Sequence, residues 1–339
     1  MGRPLFPLDG RLPAQVSARR PHQGHPNLMK ATLVIPSRGG ARRLPVLLEA
    51  LSKQSYADWE AVVVIDGDID DSASVVAQYH YLPVRTIVFP KNRGRVAALN
   101  AGFDASLGDV LIRCDDDLEP APDFVEKHIA AHQGEPCGVV GLYKNILDDT
   151  PYAEVYGHDA DERFRREAYA TPAEQRWRYW AGNCSMTRHT WREVGPYDPR
   201  FRAYGWEDVD YGFRIVEAGY PVVLEPSLET AHYAAAVSTS SRARRAFLSG
   251  QARFLFDSIH SGEVPHSGPP RPKNTSPWNI ATNLVALCTT YSSARSTGHA
   301  IDFVLPRLPS QVGSKLVALL VEASAVAGYS RPHGAKNDV

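Results

Sequence analysis

Three consecutive aspartates, Asp115, Asp116 and Asp117, follow an apolar run in the segment LIRCDDDLEP, residues 111–120. Carboxylates this close repel one another, and a divalent cation would relieve the repulsion. Asp115 and Asp117 have the DxD spacing, which offers two hard oxygen ligands to Mg2+ or Mn2+ and leaves positions for phosphate oxygens. Aspartates also populate turns after strands, where they bond nearby amides, so the cluster alone leaves both readings open. A second acidic pair, Glu207 and Asp208, stands directly after Trp206 in YGWEDVDYGF. Acids there suit the first turn of a helix. They also suit sugar chemistry, in which a carboxylate takes the proton of an acceptor hydroxyl and an indole face receives a sugar ring. Trp206 is therefore a candidate acceptor-binding residue.

These groups need elements to hold them. The chain alternates short β-branched runs (ATLVIP, EAVVVID, VRTIVF, DVLIRC) with helical patterns near 44–51, 71–80 and 93–105. That alternation predicts βαβ units and a parallel sheet. Open α/β sheets bind ligands at the carboxyl ends of their strands, where Asp66 and Asp115 both fall. Beyond residue 145 the pattern loosens, and 146–176 is expected to be a charged, mobile loop with a helical piece. WAGNCSMTR reads as a strand, DVDYGFRIVEAGY as a helix closed by Gly219, and 241–258 as a helix. A Pro-rich stretch over 265–277 precedes a tail with two further helical segments in 278–326.

The composition is that of an ordinary globular protein: 339 residues, 43% hydrophobic and 22% charged, with a net charge of −1. That balance gives no reason to expect a nucleic-acid partner. The four cysteines are scattered without metal-site or disulfide spacing. No signal pattern and no apolar run of the roughly 20 residues needed to span a bilayer is evident, so a cytoplasmic protein is expected. Residues 1–29 read as a loosely attached arm, 30–240 as one domain with halves at 30–145 and 146–240, and 241–339 as a helical extension.

The ordered set VIPSRG, VVVIDGD, NRGRVAALNAG and CDDDLEPAPDF resembles the nucleotide-binding half of family 2 glycosyltransferases of the GT-A fold. The later segment from AGNCSMTR to YGWEDVDYGFRIVEAGY is similar to an acceptor-side segment shared with galactosyltransferase-type enzymes. The resemblance covers roughly residues 31–233. It implies an α/β fold with a mainly parallel, Rossmann-like sheet flanked by helices, carrying a helical C-terminal extension. It implies inverting transfer of a sugar from a nucleoside-diphosphate donor, UDP-linked by expectation, to a hydroxyl of a glycan, a lipid-linked glycan or a small molecule.

The same resemblance distributes roles. Pro36, Ser37 and Arg38 would border the nucleotide, and Asp66 would accept its imide N–H. Arg93 and Arg95 would lie near the diphosphate. Asp115 would approach the ribose; Asp116 belongs to the same donor-side cluster with its side chain turned away. Asp117 and His232, in LETAHY, would hold Mn2+ or Mg2+. Asp208 would be the catalytic base, Glu207 its acceptor-side support, and Asn183 a further acceptor contact, while Asn100 would be structural. Gly205-Trp206 stands where the family often has Gly-Gly, and IDGD replaces the commoner Asp-Gly-Ser. Two other classes share parts of this pattern: a sugar-1-phosphate nucleotidylyltransferase, which gives the Glu207-Asp208 segment no role, and a non-catalytic sugar-nucleotide binder, which would not need it. The apolar C-terminal helices would also suit a homo-oligomer.

Overall fold

The computed structural model describes residues 29–202, 204–233, 235–260 and 276–331. The arm expected over 1–29, apart from its last residue, and most of the Pro-rich stretch 265–277 lie outside them. Three wholly buried strands, β1 (Ala31–Ser37), β2 (Trp59–Ile65) and β4 (Val110–Cys114), form the centre of the sheet, with β3 (Val84–Val88) mostly exposed at its edge. Strands buried on both faces need continuous apolar runs, and LVI, AVVVI and VLI supply them. The crossovers are α1 (Leu44–Leu51), α2 (Ser72–Ala77) and α3 (Arg95–Ala105), so β3, β2, β1 and β4 run parallel.

After β4 the chain reverses. It forms β5 (Leu118–Glu119), α4 (Phe124–Ala131), β6 (Gly138–Val140), β7 (Tyr143–Asn145), α5 (His158–Ala170), β8 (Asn183–Thr187), α6 (Arg188–Val194), α7 (Glu207–Glu217), β9 (Val222–Leu224) and β10 (Thr230–His232). The large sheet has the order β3-β2-β1-β4-β8-β6-β9, with β8 antiparallel to both β4 and β6. A small sheet, β5-β10-β7, sits beyond the end of β4. Its register sets His232 opposite Leu118 on one side and Asn145 on the other. The end of β4, with its aspartates, and the end of β10, with its histidine, are thereby brought together.

The expected loop over 146–176 is mostly helical. A π-helical turn (Ala153–Gly157) runs directly into α5, and a 3-10 segment spans Ala173–Tyr179. The π turn buries Tyr152 and Tyr156 against Leu305 and Val317. Polar composition hid this helix, because α5 itself buries only Ala168.

The C-terminal part comprises α8 (Thr239–Ile259), α9 (Pro277–Cys288), α10 (Tyr291–Val304) and α11 (Ser310–Tyr329). Three helices follow residue 276 where the sequence pattern gave two. The part is not an appendage: Phe256 of α8 is fully buried in the same core cluster as Trp177, Phe213 and Tyr211. By length and composition α11 could cross a membrane, but half of that apolar window is buried here.

Candidate active site

The carboxyl ends of β1, β2 and β4 deliver Ser37, Asp66 and Asp115 to one edge of the sheet. The three aspartates after β4 then diverge. Asp116 turns toward α1, where its carboxylate accepts Ser37 Oγ–H at 2.5 Å and forms a two-armed pair with Arg43 at 2.9 and 3.0 Å. Buried as it is, Asp116 is raised above the usual carboxylate range by desolvation, against the pull of Arg43. Ser37 is likewise buried, so its hydroxyl joins the β1–α1 turn to the aspartate turn.

Asp115 faces the opposite way. Arg113, two residues earlier on β4, binds it through Nε at 2.8 Å and Nη2 at 3.1 Å. The other arm of the same guanidinium, Nη1, pairs with Asp208. The Arg113 side chain is wholly buried, while that of Asp208 keeps 17% exposure. One buried cation therefore joins the DxD aspartate of β4 to the acidic pair of α7. Arg95, at the start of α3, reaches Glu207 Oε1 at 3.5 Å and adds a second, more exposed cation. Burial raises Asp208 above its ordinary value, against Arg113. Burial, together with the neighbouring Asp208 charge, pushes Glu207 up to about 7. Burial tends to raise Asp115 too, but Arg113 outweighs it and holds Asp115 below its ordinary range. Gly182 is the floor here: a Cβ on it would meet Asp115 Oδ2 at 2.2 Å and Tyr143 Oη at 2.3 Å.

The acidic pair is held by a strained turn. Gly205 and Trp206 have φ of +88° and +68°, and a non-glycine residue in that region costs about 1–3 kcal/mol. α8 offsets this cost. Trp206 Nε1 donates to Ser249 Oγ at 3.0 Å, its ring lies 5.1 Å from that of Phe256, and Arg253 stacks over it at 5.5 Å. The indole expected to receive a sugar is thus already packed between side chains of the C-terminal part. It acts as an anchor for the turn that presents Glu207 and Asp208.

Asp117 lies 3.5 Å from His232 Nε2, and Asp117 Oδ1 is buried with no hydrogen-bond partner. The histidine is oriented from behind. Asp161 of α5 accepts from Asn145 Nδ2 at 2.5 Å, which turns Asn145 Oδ1 toward His232 Nδ1 at 2.6 Å. Since that oxygen only accepts, Nδ1 carries a proton, and in the neutral ring required of a metal ligand the lone pair is on Nε2, facing Asp117. The imidazole also stacks on Tyr143, with ring centres 4.4 Å apart. An orphaned carboxylate oxygen and an oriented lone pair fit a divalent cation. Among the described residues no group of three or more His, Cys, Asp or Glu gathers as a complete protein cage. The pair therefore leaves room for ligands brought by a phosphate group.

The donor side is less uniform. Asp66 accepts the backbone N–H of Arg93 at 2.5 Å and of Gly94 at 2.8 Å, fixing the turn before α3. Arg38 Nη1 donates to the Asp66 carbonyl at 2.8 Å, and Arg93 stacks on Phe89 at 4.5 Å. Pro36 is buried within β1. Asn100 exchanges two hydrogen bonds with the Tyr197 backbone, at 2.8 and 2.9 Å, a purely structural use.

Asn183 has to be reassigned. It is completely buried, and its amide bonds Leu228 O at 2.8 Å, Thr230 Oγ1 at 3.0 Å and His128 Nε2 at 3.1 Å. No acceptor reaches it, because α4 covers that face of β8. The residues missed in the sequence are Arg113, Arg43 and Asn145. Only Arg113 carried a signal: a lone charge inside an apolar strand needs a buried partner.

Comparison with known proteins bears on the family and the fold. Residues 32–195 match the model of glycosyl transferase family 2. An undecaprenyl-phosphate 4-deoxy-4-formamido-L-arabinose transferase of Pseudomonas fluorescens is 34% identical over 128 residues, covering 36% of this chain and 37% of that protein. The uncharacterized glycosyltransferase YfnE of Bacillus subtilis is 26% identical over 263 residues, covering 60% of this chain and 64% of its own. The chain spans 37% to 49% of the length of the first curated relatives it matches. Among solved structures, the mannosyltransferase PcManGT from Pyrobaculum calidifontis, in complex with GDP-Man and Mn2+, superimposes with a TM-score of 0.60 at 18% identity, covering 89% of this chain and 88% of that one. The likeness is one of fold: a GT-A α/β domain with a mainly parallel sheet and a helical C-terminal part. Residues 32–195 of this chain are accordingly a glycosyl transferase family 2 domain set in a GT-A fold.

Proposed function

We propose that the protein is a divalent-metal-dependent, inverting glycosyltransferase that moves a sugar from a nucleoside-diphosphate donor to an acceptor hydroxyl. The observation that carries this reading is the Arg113 bridge, which joins the DxD carboxylate Asp115 to Asp208 of the acidic pair. Donor-side and acceptor-side groups are then within reach of a single sugar carbon, as direct displacement requires.

Asp117 and His232 are the residues that would hold Mg2+ or Mn2+ together with the donor diphosphate. When bound, such an ion supplies Lewis-acid stabilisation of the leaving phosphate. Arg93 and Arg95 lie at the start of α3, where guanidinium groups can add charge-assisted bonds to phosphate oxygens. UDP is the first candidate nucleotide, and a GDP-linked donor is the second, since the structural neighbour binds GDP-Man. Asp208 takes the proton of the attacking hydroxyl. It keeps some exposure to the cleft, whereas Glu207 is buried behind it and sustains its field.

A lipid phosphate is the second acceptor class, favoured by the undecaprenyl-phosphate transferases among the relatives. A phosphate is already ionised near neutral pH, needs no base, and would be repelled by Glu207 and Asp208. One substitution separates the two. With Asp208→Asn, a hydroxyl acceptor should show kcat lowered by roughly 10²–10⁴ with donor affinity nearly unchanged. Nucleotide release from UDP- and GDP-sugars, measured with Mn2+ and each acceptor class, is the assay. Turnover near wild type in Asp208→Asn would refute the base assignment and favour the phosphate acceptor.

A further inference from the structure

The helix α9 contains no charged residue. Its buried side, Thr282 and Ala286, faces the neighbouring helices, while Ile280, Leu284 and Leu287 are 50%, 60% and 66% exposed. Spaced by four and three residues, these three side chains form one apolar stripe on the outer face. Phe303, at the end of α10, is 71% exposed. An uncharged helix turned apolar side outward on a soluble surface requires a partner.

Charge indicates which partner. Residues 30–238 carry 22 Lys and Arg against 32 Asp and Glu, whereas the helices over 239–259 and 276–331 carry eight against three. Those three acids are all engaged. Asp302 caps the N-terminus of α8 at 2.8 and 3.3 Å, Glu322 accepts Trp278 Nε1 at 2.7 Å, and Asp257 accepts Tyr329 Oη at 3.0 Å. Basic groups lie at one end of the stripe and beside the other exposed aromatic side chains of this part. Arg331 donates to the Leu287 carbonyl at 2.7 Å, Arg244 lies over Tyr291 at 4.8 Å, and Arg307 over Phe303 at 4.9 Å. Exposed apolar groups beside arginines suit a headgroup boundary, where the aliphatic parts enter the acyl region and the guanidinium groups meet lipid phosphates.

We infer that the outer face of α9 is a peripheral docking surface for an anionic lipid bilayer. A second copy of the chain fits it less well, because a two-fold contact through this face would set one basic helical part against another. The docking is interfacial, since half of the apolar window of α11, the one helix long and apolar enough to span among the described residues, is buried against the rest of the protein. It needs neither donor nor acceptor, so it stands apart from the proposed chemistry.

The test is co-sedimentation of the full-length protein with vesicles of phosphatidylcholine, with and without phosphatidylglycerol, in the absence of any sugar nucleotide. Binding should require the anionic lipid and weaken in high salt. Leu284→Glu with Leu287→Glu, at exposed positions that should leave the melting temperature unchanged, should reduce binding about tenfold or more. Arg295→Glu and Arg307→Glu, away from the stripe itself, should weaken anionic binding alone. Three results would each overturn the proposal: no sedimentation with anionic vesicles, full binding by the Leu284→Glu/Leu287→Glu variant, or a solution dimer that the same variant converts to monomer without any vesicle binding by the wild type.

Discussion

Lowering the pH should destabilise this protein before its surface carboxylates titrate, through two histidines beneath the active-site sheet. His128 of α4 and His132 at its C-terminal cap are both buried. Asn183 directs both amide hydrogens to Leu228 O and Thr230 Oγ1, so its oxygen faces His128 Nε2 and that nitrogen carries a proton. His128 Nδ1 is then a lone pair that accepts the Ser185 hydroxyl at 2.8 Å, and the Ser185 oxygen accepts from His132 Nε2 at 2.8 Å. That chain of bonds requires a neutral His128, while His132, whose Nδ1 is buried without a partner, is kept neutral by desolvation. Desolvation lowers His128 to about 3 and His132 to about 4, whereas an unfolded chain titrates near 6.5. The folded values are depressed, so the unfolded state binds more protons between these limits, and stability is lost as pH falls from about 6.5 toward 4. At pH 5 each ring contributes about 2 kcal/mol of destabilisation, about 4 kcal/mol for the pair, with a slope of about 2.7 kcal/mol per pH unit. Against a typical total of about 5–15 kcal/mol, that is a large share. Urea denaturation at pH 7.5, 6 and 5 measures it. His132→Gln keeps a donor to Ser185 and should roughly halve the slope. A stability flat between pH 6.5 and 5, or a slope unchanged in His132→Gln, would refute this account of the buried network.

Two further outcomes concern the cleft. Asn145→Leu breaks the link from Asp161 to His232 without touching the histidine; the Mn2+ concentration needed for half-maximal nucleotide binding, read by calorimetry, should rise about 10–100-fold, and should stay there in an Asp161→Asn background. Gly182→Ala drives a methyl into Asp115 and Tyr143, so it should abolish donor binding while thermal melting shows a folded protein.

The parallel half of the fold was legible because β1, β2 and β4 are buried at every position; such strands are mostly apolar runs. Asp66 and Asp115 could be placed at strand ends for the same reason. What could not be read was which way a side chain turns once the strand ends. Asp115, Asp116 and Asp117 are consecutive, yet they serve Arg113, Arg43 and the neighbourhood of His232 respectively. Asn183 lies in the segment aligned with an acceptor site, but alternation along β8 points it to the covered face, into the His128 network. Trp206 advertised a sugar platform. Only the return of α8, some forty residues later, takes up its ring. Of the helical piece expected within 146–176, the extent of α5 could not be read because its role is polar: it supplies Asp161 to Asn145 and Arg165 to Glu229, and almost nothing to the core.

The misread residues share a cause that also explains the construction of the cleft. An acidic cluster of Asp115, Glu207 and Asp208 is unfavourable in a protein interior unless a cation with fixed geometry lies among its members. Arg113 meets that need because β4 is rigid and central, so its guanidinium cannot follow a drifting partner. The partners must come to it. Asp115 does so by adjacency, but Asp208 arrives on a different element, across 95 residues of chain. Its approach depends on the Gly205-Trp206 turn, which is conformationally costly and is held by Ser249, Arg253 and Phe256 of α8. The C-terminal helices thus belong to the scaffold of the acidic pair. A chain ending before α8 would keep the parallel sheet and the DxD turn but lose the support of the turn that carries Asp208. The same helices present the apolar face of α9, so the part that anchors the candidate base is also the part that would meet a bilayer.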